Sequence, residues 1–226
     1  MPTEVVGDNT GDDYAGTEDA QIYNANTTNN HGGAEDSYII KYDASNHANM
    51  LLQFSGLSNI SAPVTVSSAT LYVYQNDHDG AGITATWYMV LRDWEEGTQD
   101  DADRTNDTPD SCCWDEYASS NGWTTAGALS DGNDKQAAGS AMTIGTAHEY
   151  KSSSAAQIAT DVAYMINTLN YGWVGIRTDG ADDTLVSTMT TSDGTDGQRP
   201  YISVTWTAAG GGSVGAIHHH YNTMRH

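Results

Sequence analysis

The feature that most constrains the fold is a series of short segments in which apolar and polar side chains alternate. In residues 65–74, the clearest of them, Leu71 and Val73 fall on one face and Tyr72 and Tyr74 on the other. A period of two is typical of a β-strand with one buried face. The chain is therefore expected to fold mainly as β-sheet.

Segments with strand composition recur between polar stretches that are rich in turn-forming residues. They lie at residues 37–42, 50–54, 83–91, 173–177, 184–189 and 201–206. This spacing predicts an all-β fold, a two-sheet antiparallel jelly-roll-like β-sandwich. We assign residues 1–206 to one such domain, in which residues 1–18 form an N-terminal extension.

One segment has a different period. Between residues 154 and 169 the apolar side chains recur at helical spacing, at Ile158, Val162, Met165, Ile166 and Leu169. We predict one amphipathic helix here, covering an open end of the sandwich.

A long polar insertion at residues 95–147 carries little strand signal. Loops of this length are uncommon in compact domains unless they are functional, so the insertion is a candidate recognition surface. It holds Trp114, Tyr117 and Trp123, in a chain with six Trp, thirteen Tyr and one Phe. Their rings combine an apolar face with a polar edge, which suits stacking on a sugar, a protein interface or a place in the core of a sandwich. We predict these three residues as ligand-binding.

The charge excludes several classes of partner. Thirty acidic residues against eight basic ones give a net charge of −22, which repels nucleic acid and anionic membranes. We expect neither as a partner. The first residues carry no basic and apolar signal segment, so we also expect a product made without a leader.

Paired carboxylates are the strongest sign of catalysis in the sequence, and the first candidates are Glu95 and Glu96, next to Asp93. In so acidic a chain such pairs are common by chance, and no nucleophile elbow, zinc-protease helix or phosphate loop accompanies them. We therefore predict no enzymatic activity and no catalytic residue.

Calcium is the one cofactor that the sequence suggests, because hard cations bind several oxygen ligands and the turns are rich in aspartate. The first candidate ligands are Asp179, Asp182 and Asp183. The alternative is that these are solvated turn residues that bond to their own backbone, and the sequence leaves both open.

The chain continues past its last predicted strand. Residues 207–213 have the composition of a flexible linker, and residues 214–226 are predicted to be an attachment peptide. Its attachment residues are Ile217, His218, His219, His220, Tyr221 and Met224. Neighbouring residues of an extended chain point to opposite sides, so the three histidines suit docking onto a partner, for example by β-strand addition, better than one metal ion.

An ordered set of motifs over residues 19–206 resembles the DNRLRE-domain, disaggregatase-related group of β-sandwich modules. The set includes Asp19-Ala20-Gln21-Ile22, Asn29-Asn30-His31-Gly32, Trp94-Glu95-Glu96-Gly97-Thr98, Asn170-Tyr171-Gly172-Trp173 and Arg199-Pro200-Tyr201-Ile202-Ser203-Val204. The resemblance implies a jelly-roll-like sandwich of the kind often appended to secreted polysaccharide-degrading enzymes. Some members are credited with carbohydrate binding, and others occur in phage proteins.

These observations together predict a non-enzymatic virion structural protein: a phage head decoration, cement or fibre protein that displays a carbohydrate-binding-like sandwich. We expect it at the virion surface as a homo-oligomer, anchored to other virion or surface proteins by its C-terminal tail. The alternative is a soluble, extracellular carbohydrate-binding module acting on polysaccharide. A polysaccharide lyase or hydrolase is the third interpretation.

Overall fold

The computed structural model describes residues 1–7, 16–41, 46–107, 111–179 and 186–209. The fifteen strands within these ranges are β1 (Thr3–Val6), β2 (Thr17–Tyr23), β3 (Asn29–Asn30), β4 (Asp36–Lys41), β5 (His47–Phe54), β6 (Val64–Asp79), β7 (Ile83–Val90), β8 (Ala102–Asp103), β9 (Glu116–Ala118), β10 (Asn121–Gly122), β11 (Lys135–Ile144), β12 (Glu149–Ser153), β13 (Trp173–Arg177), β14 (Val186–Thr190) and β15 (Tyr201–Ala208). The described residues also contain one α-helix, α1 (Ala156–Asn167), and two short 3₁₀ helices, Ser55–Asn59 and Arg104–Asn106.

Eleven strands form one antiparallel sheet that folds over on itself into a sandwich. Nine of them follow the order β1-β15-β6-β14-β4-β5-β13-β7-β11, with β12 added beside β6 and β2 beside β5. β14 lies between β6 and β4 and pairs with both of them, so it joins the two halves of the folded sheet. The predicted all-β sandwich is confirmed.

The core between the layers is built by the alternation seen in the sequence. Leu71 and Val73 of β6 are fully buried in it, as are Trp87 of β7 and Trp173 of β13. On the opposite face of β6, Tyr72 stacks on Tyr201 of β15, with 4.4 Å between ring centroids. Cross-strand aromatic pairs of this kind stabilise a sheet.

The predicted helix is confirmed, over a slightly shorter range than residues 154–169. α1 buries Ile158, Val162 and Met165 against the sandwich core. Its buried Asp161 accepts a hydrogen bond from Trp173 Nε1 at 3.0 Å, which ties the helix to the core.

The long insertion is more structured than predicted. Its end forms β11, a ten-residue strand that pairs with β7. The preceding part lies over the outer face of the layer β2-β5-β13-β7 and buries a second apolar cluster there, which we call the second core. Its buried members are Ala20, Ile22, Leu51, Val90, Trp94, Cys112, Trp114, Trp123, Ala128 and Val174.

Strands lie close to both predicted limits of the domain. Within the predicted N-terminal extension, β1 pairs with β15 and so belongs to the sheet, and β2 begins at Thr17. At the other end β15 continues to Ala208, two residues into the predicted linker. The remainder of the linker and the attachment peptide, from residue 210, lies outside the described residues.

The packing of the second core predicts that alanine substitution destabilises the protein to different extents at two glycines, both of which have a left-handed backbone. A Cβ on Gly127 (φ +81°) would lie 2.5 Å from the Trp114 ring, whereas one on Gly132 (φ +76°) would meet nothing within 4 Å. Gly132→Ala should lower the free energy of unfolding by about 1–2 kcal/mol, the strain of a left-handed residue. Gly127→Ala should lower it by roughly 1–3 kcal/mol more, because it also overpacks the cluster. Urea denaturation measures both values, and equal losses would contradict the described packing.

Candidate functional site

A polar cleft of about 820 Å³ lies where β2, β4, β6 and β14 come together. Its walls carry side chains from all four strands and from the loop at residues 100–101. Concave sites with a few convergent polar groups are the usual place for a ligand. We refer to it as the cleft.

Two tyrosines give the cleft its aromatic surface. Tyr38 of β4 is 43% exposed, and its backbone N–H donates to Gln21 Oε1 at 2.7 Å. Tyr23 of β2 donates its hydroxyl to Asn46 Oδ1 at 3.1 Å. Because Ile22 enters the second core, its neighbours Gln21 and Tyr23 point to the other side of β2, towards the cleft.

Six carboxylates line the cleft, at Glu35, Asp36, Asp77, Asp79, Asp100 and Asp101. Asp101 accepts hydrogen bonds from Asn29 Nδ2 at 3.0 Å and Asn26 Nδ2 at 2.9 Å, and the bond from Asn29 contributes most to lowering its pKa. Burial raises the pKa of Asp36; the nearby charges of Glu35 and Asp77 act in the same direction, and the bond from Asn76 opposes them. The two groups therefore hold their protons with different strength.

His31 supplies a buried polar atom at the cleft wall. The residue is 7% exposed, and its Nε2 accepts or donates no hydrogen bond within the described part of the chain. The same atom lies 3.7 Å from Asp101 Oδ1. Burial lowers the pKa of His31, although the charges of Asp101 and Asp100 oppose this.

The three predicted aromatic residues are brought together, but in the second core. Trp114 and Trp123 are 8% and 6% exposed, and Trp123 Nε1 donates to the carbonyl oxygen of Cys113 at 3.0 Å. Tyr117 is half-buried, with its ring centroid 5.4 Å from that of Trp123. Of the three, Tyr117 presents the most ring surface to solvent. Their role in binding a glycan or a partner stays a prediction.

Only Asp179 of the predicted calcium ligands lies among the described residues; Asp182 and Asp183 lie outside them. Asp179 accepts a hydrogen bond from Arg177 Nε at 2.7 Å and another from the backbone N–H of Thr84. No group of three or more His, Cys, Asp or Glu side chains in the described ranges is placed to hold a metal ion. Calcium binding at this turn stays a prediction.

The predicted attachment residues all lie outside the described ranges. They are Ile217, His218, His219, His220, Tyr221 and Met224. In the described part of the chain, no helix is long and apolar enough to cross a membrane.

Glu96, one of the two carboxylates considered for catalysis, lies in a network of hydrogen bonds to the backbone. Glu96 Oε1 accepts a hydrogen bond from the backbone N–H of Asp19 at 2.7 Å, and Asp19 Oδ2 accepts one from the backbone N–H of Ser192 at 2.6 Å. Burial raises the pKa of Asp19 to about 7 and that of Glu96 to about 9, and the repulsion of neighbouring carboxylates adds to both shifts. Glu96 and Asp19 thus join β2 to the loop after β7 and to the turn after β14.

The comparison with known families supports one functional class. The model of carbohydrate-binding module family 96 matches residues 12–101, which hold β2, β4, β6 and most of the cleft wall. The match covers less than half of the chain, and it supports the carbohydrate-binding-module-like part of the predicted resemblance. No curated protein matches the chain.

The raised pKa values of Asp19 and Glu96 predict that stability falls with rising pH. Each group binds its proton more tightly in the folded state than in the unfolded state. Its contribution to the free energy of unfolding is therefore fully present below the unfolded-state pKa, which is near 4. The contribution is lost as the pH rises to about 7 for Asp19 and about 9 for Glu96. Glu96→Gln keeps an oxygen for the Asp19 N–H and cannot ionise in the unfolded state.

Glu96→Gln should therefore raise the free energy of unfolding at pH 8 by at least about 1 kcal/mol and leave it nearly unchanged at pH 4.5. Denaturation of both proteins across this range tests the prediction. Glu95→Gln is the matched control, since Glu95 is exposed, and it should have little effect. A gain that is the same at every pH would show that proton linkage at Glu96 is not the cause.

Proposed function

We propose that the protein is a non-catalytic carbohydrate-binding module whose ligand occupies the cleft. The observation that carries the proposal is the exposed Tyr38 in a cleft that is also lined by Tyr23 and polar side chains, within the span similar to carbohydrate-binding module family 96. A sugar ring offers an apolar C–H face that packs on such an aromatic ring. Its hydroxyl groups bond to carboxylate, amide and imidazole atoms of the kind that line the cleft.

The binding role is favoured over a polysaccharide lyase or hydrolase by the environment of the paired carboxylates. Glu96, one member of the pair that such an enzyme would use, accepts a hydrogen bond from the backbone N–H of Asp19 in β2 and so has a structural role. The similar family is one of binding modules. Both facts support recognition of a glycan without its cleavage.

We also propose where the module is displayed and how it is anchored. We retain the prediction that it is displayed at a virion surface as a homo-oligomer, held by residues 214–226; an extracellular module is the alternative. This rests on the composition of the linker and tail alone. If it is right, the module and its anchor have separate tasks.

Deletion of residues 210–226 tests the anchor without cutting the sheet. The truncation begins there because β15 reaches Ala208 and the Ala209 N–H donates to the carbonyl oxygen of Pro63 at 2.8 Å. The truncated protein should keep its thermal stability and its glycan binding but be absent from purified particles. Unchanged incorporation into particles would contradict the anchoring proposal.

Glycan binding in the cleft predicts a specific loss in Tyr38→Ala. Removing the ring should weaken binding about tenfold, because an aromatic contact contributes roughly 0.5–1.5 kcal/mol beyond the area it buries. Tyr164→Ala is the matched control: Tyr164 is 40% exposed, lies on α1 and is not among the described residues that line the cleft.

A glycan array followed by isothermal titration calorimetry with the best oligosaccharide gives the measurement. Tyr117→Ala belongs in the same series, because it tests the predicted site in the second core. Loss of affinity in Tyr117→Ala with none in Tyr38→Ala would move the site to the second core. Absence of binding to every glycan would remove the proposed function.

A further inference from the structure

We propose that two copies of this chain associate through one uncharged, tyrosine-bearing face of the sandwich, which we call the tyrosine face. It is the outer face of the part of the sheet in which β12, β6, β15 and β1 lie side by side. The inference goes beyond the proposed function, because it holds whether or not the cleft binds a glycan. It assigns the surface through which a homo-oligomer forms.

The alternation of side chains along the strands places four tyrosines on this face. In β6 the residues on either side of Tyr72 point into the sandwich core, so Tyr72 and Tyr74 point outwards. The strand register puts Tyr201 of β15 opposite Tyr72, and Tyr150 of β12 opposite Tyr74. All four side chains are half-buried and therefore partly open to solvent.

The four rings form one continuous cluster. Tyr72 stacks on Tyr201 with 4.4 Å between centroids, and the Tyr150 ring lies edge-on to those of Tyr201 and Tyr74, with 5.2 Å between the centroids of each pair. The Tyr150 hydroxyl also donates to the carbonyl oxygen of Gly197 at 2.9 Å. These contacts hold the rings in place in the free protein, so little side-chain freedom is lost when a partner covers them.

The tyrosine face carries no charge, in a chain whose net charge is −22. Along residues 64–75 of β6 and along the other three strands, every other outward position is Ser, Thr or Val. These positions are Thr65, Ser68 and Thr70 of β6 with the bulged Ser67, Ser203, Thr205 and Thr207 of β15, Ser152 of β12, and Thr3 and Val5 of β1. The centres of protein interfaces are depleted in charged residues and enriched in tyrosine. The composition of this face is therefore that of an interface.

The chemistry of the face favours a second copy of the chain as its partner. A hydroxyl group both donates and accepts a hydrogen bond, so a face of Tyr, Ser and Thr can pair with an identical face, as a contact about a twofold axis requires. A face of carboxylates cannot pair with itself in this way, because like charges repel. The repulsion between copies keeps a strongly charged protein monomeric unless the contact lies away from the charges. The tyrosine face meets that condition.

The size of the face indicates a weak dimer. From Thr65 to Tyr74 β6 extends about 30 Å, and the four strands together span about 14 Å. A contact of these dimensions is small for a specific protein interface, so the dimer should form only at high protein concentration. Salt should strengthen it, because screening reduces the repulsion between two acidic copies and leaves the uncharged contacts intact.

Sedimentation equilibrium of the full chain tests the inference, over a protein concentration of about 5–500 µM, which brackets the dissociation constant of a weak complex. The mass should rise from 24.1 kDa towards twice that value as the concentration increases. The rise should begin at a lower concentration in about 0.5 M sodium chloride than in about 0.05 M, where screening is weaker. A monomer at every concentration, or a dimer that salt dissociates, would overturn the inference.

Charges of either sign on the face should weaken the dimer. Ser68 and Ser152 are exposed outward positions, and either a Glu or a Lys at both of them sets like charges against each other across the twofold axis. Each double variant should raise the dissociation constant at least about tenfold, since one unit charge about 4 Å from a like charge in water costs roughly fivefold. Thermal denaturation checks that both variants fold, and either one alone suffices for the test.

The matched control is Thr143→Glu with Thr160→Glu, which adds the same charge at exposed positions on β11 and α1. It should change the dissociation constant by less than about a factor of two, because charges beyond a Debye length are screened. An equal effect in the control and the face variants, or a tighter dimer in the Lys variant, would show that net charge decides association and would overturn the inference.

Two further outcomes would assign the contact elsewhere. Deletion of residues 210–226 should leave the dimer intact, and its loss would place the contact in the tail and overturn the inference. A protein that stays monomeric but loses glycan binding in the Ser68 and Ser152 variants would have a glycan site on this face, which also overturns it. If the dimer forms as described and no glycan binds, the proposed function fails and this inference stands.

Discussion

One layer of the sandwich is apolar on both faces, and the rest of the structure depends on covering both. In β5, Met50 and Leu52 point into the sandwich core while Leu51 points the other way; in β13, Trp173 and Val174 divide in the same manner. A sheet of this kind is stable only when each face packs against another element. The second layer covers one face, and the long insertion covers the other.

This requirement decides what the aromatic residues can do. Trp114 and Trp123 lie in a polar stretch of sequence, yet their rings fill the second core over β2, β5 and β13. Most of their surface is therefore used in folding. Tyr38 of β4, by contrast, is 43% exposed and lines the cleft, so its ring remains available. The placement of the candidate site follows from which apolar faces the insertion must bury.

The acidic charge is distributed in the same uneven way. Carboxylates away from the cleft hold the described basic side chains, and the buried Asp19 and half-buried Glu96 each accept a hydrogen bond from a backbone N–H group. Among the described residues, no Lys or Arg lines the cleft, and its Asp101 accepts hydrogen bonds from the side-chain amides of Asn26 and Asn29.

The sequence predicted those elements whose signal is local. The alternation in β6 and the helical spacing in α1 each depend on neighbouring residues, and both predictions are confirmed. The cleft could not be predicted in this way, because Tyr38 and Asp77 become neighbours only through their common pairing with β14, more than a hundred residues later in the chain. Burial of Trp114 likewise depends on the apolar outer face of a distant sheet. A fold class follows from periodicity, whereas a site assembled by strand register does not.

Glycan binding in the cleft is tested most directly by a two-dimensional ¹H–¹⁵N NMR titration of the protein with an oligosaccharide that it binds. If the glycan occupies the cleft, the amide signals that shift should belong to the cleft strands, around Gln21, Tyr38, Asp77 and Thr188. Shifts confined to residues 114–123, with the cleft signals unchanged, would contradict it.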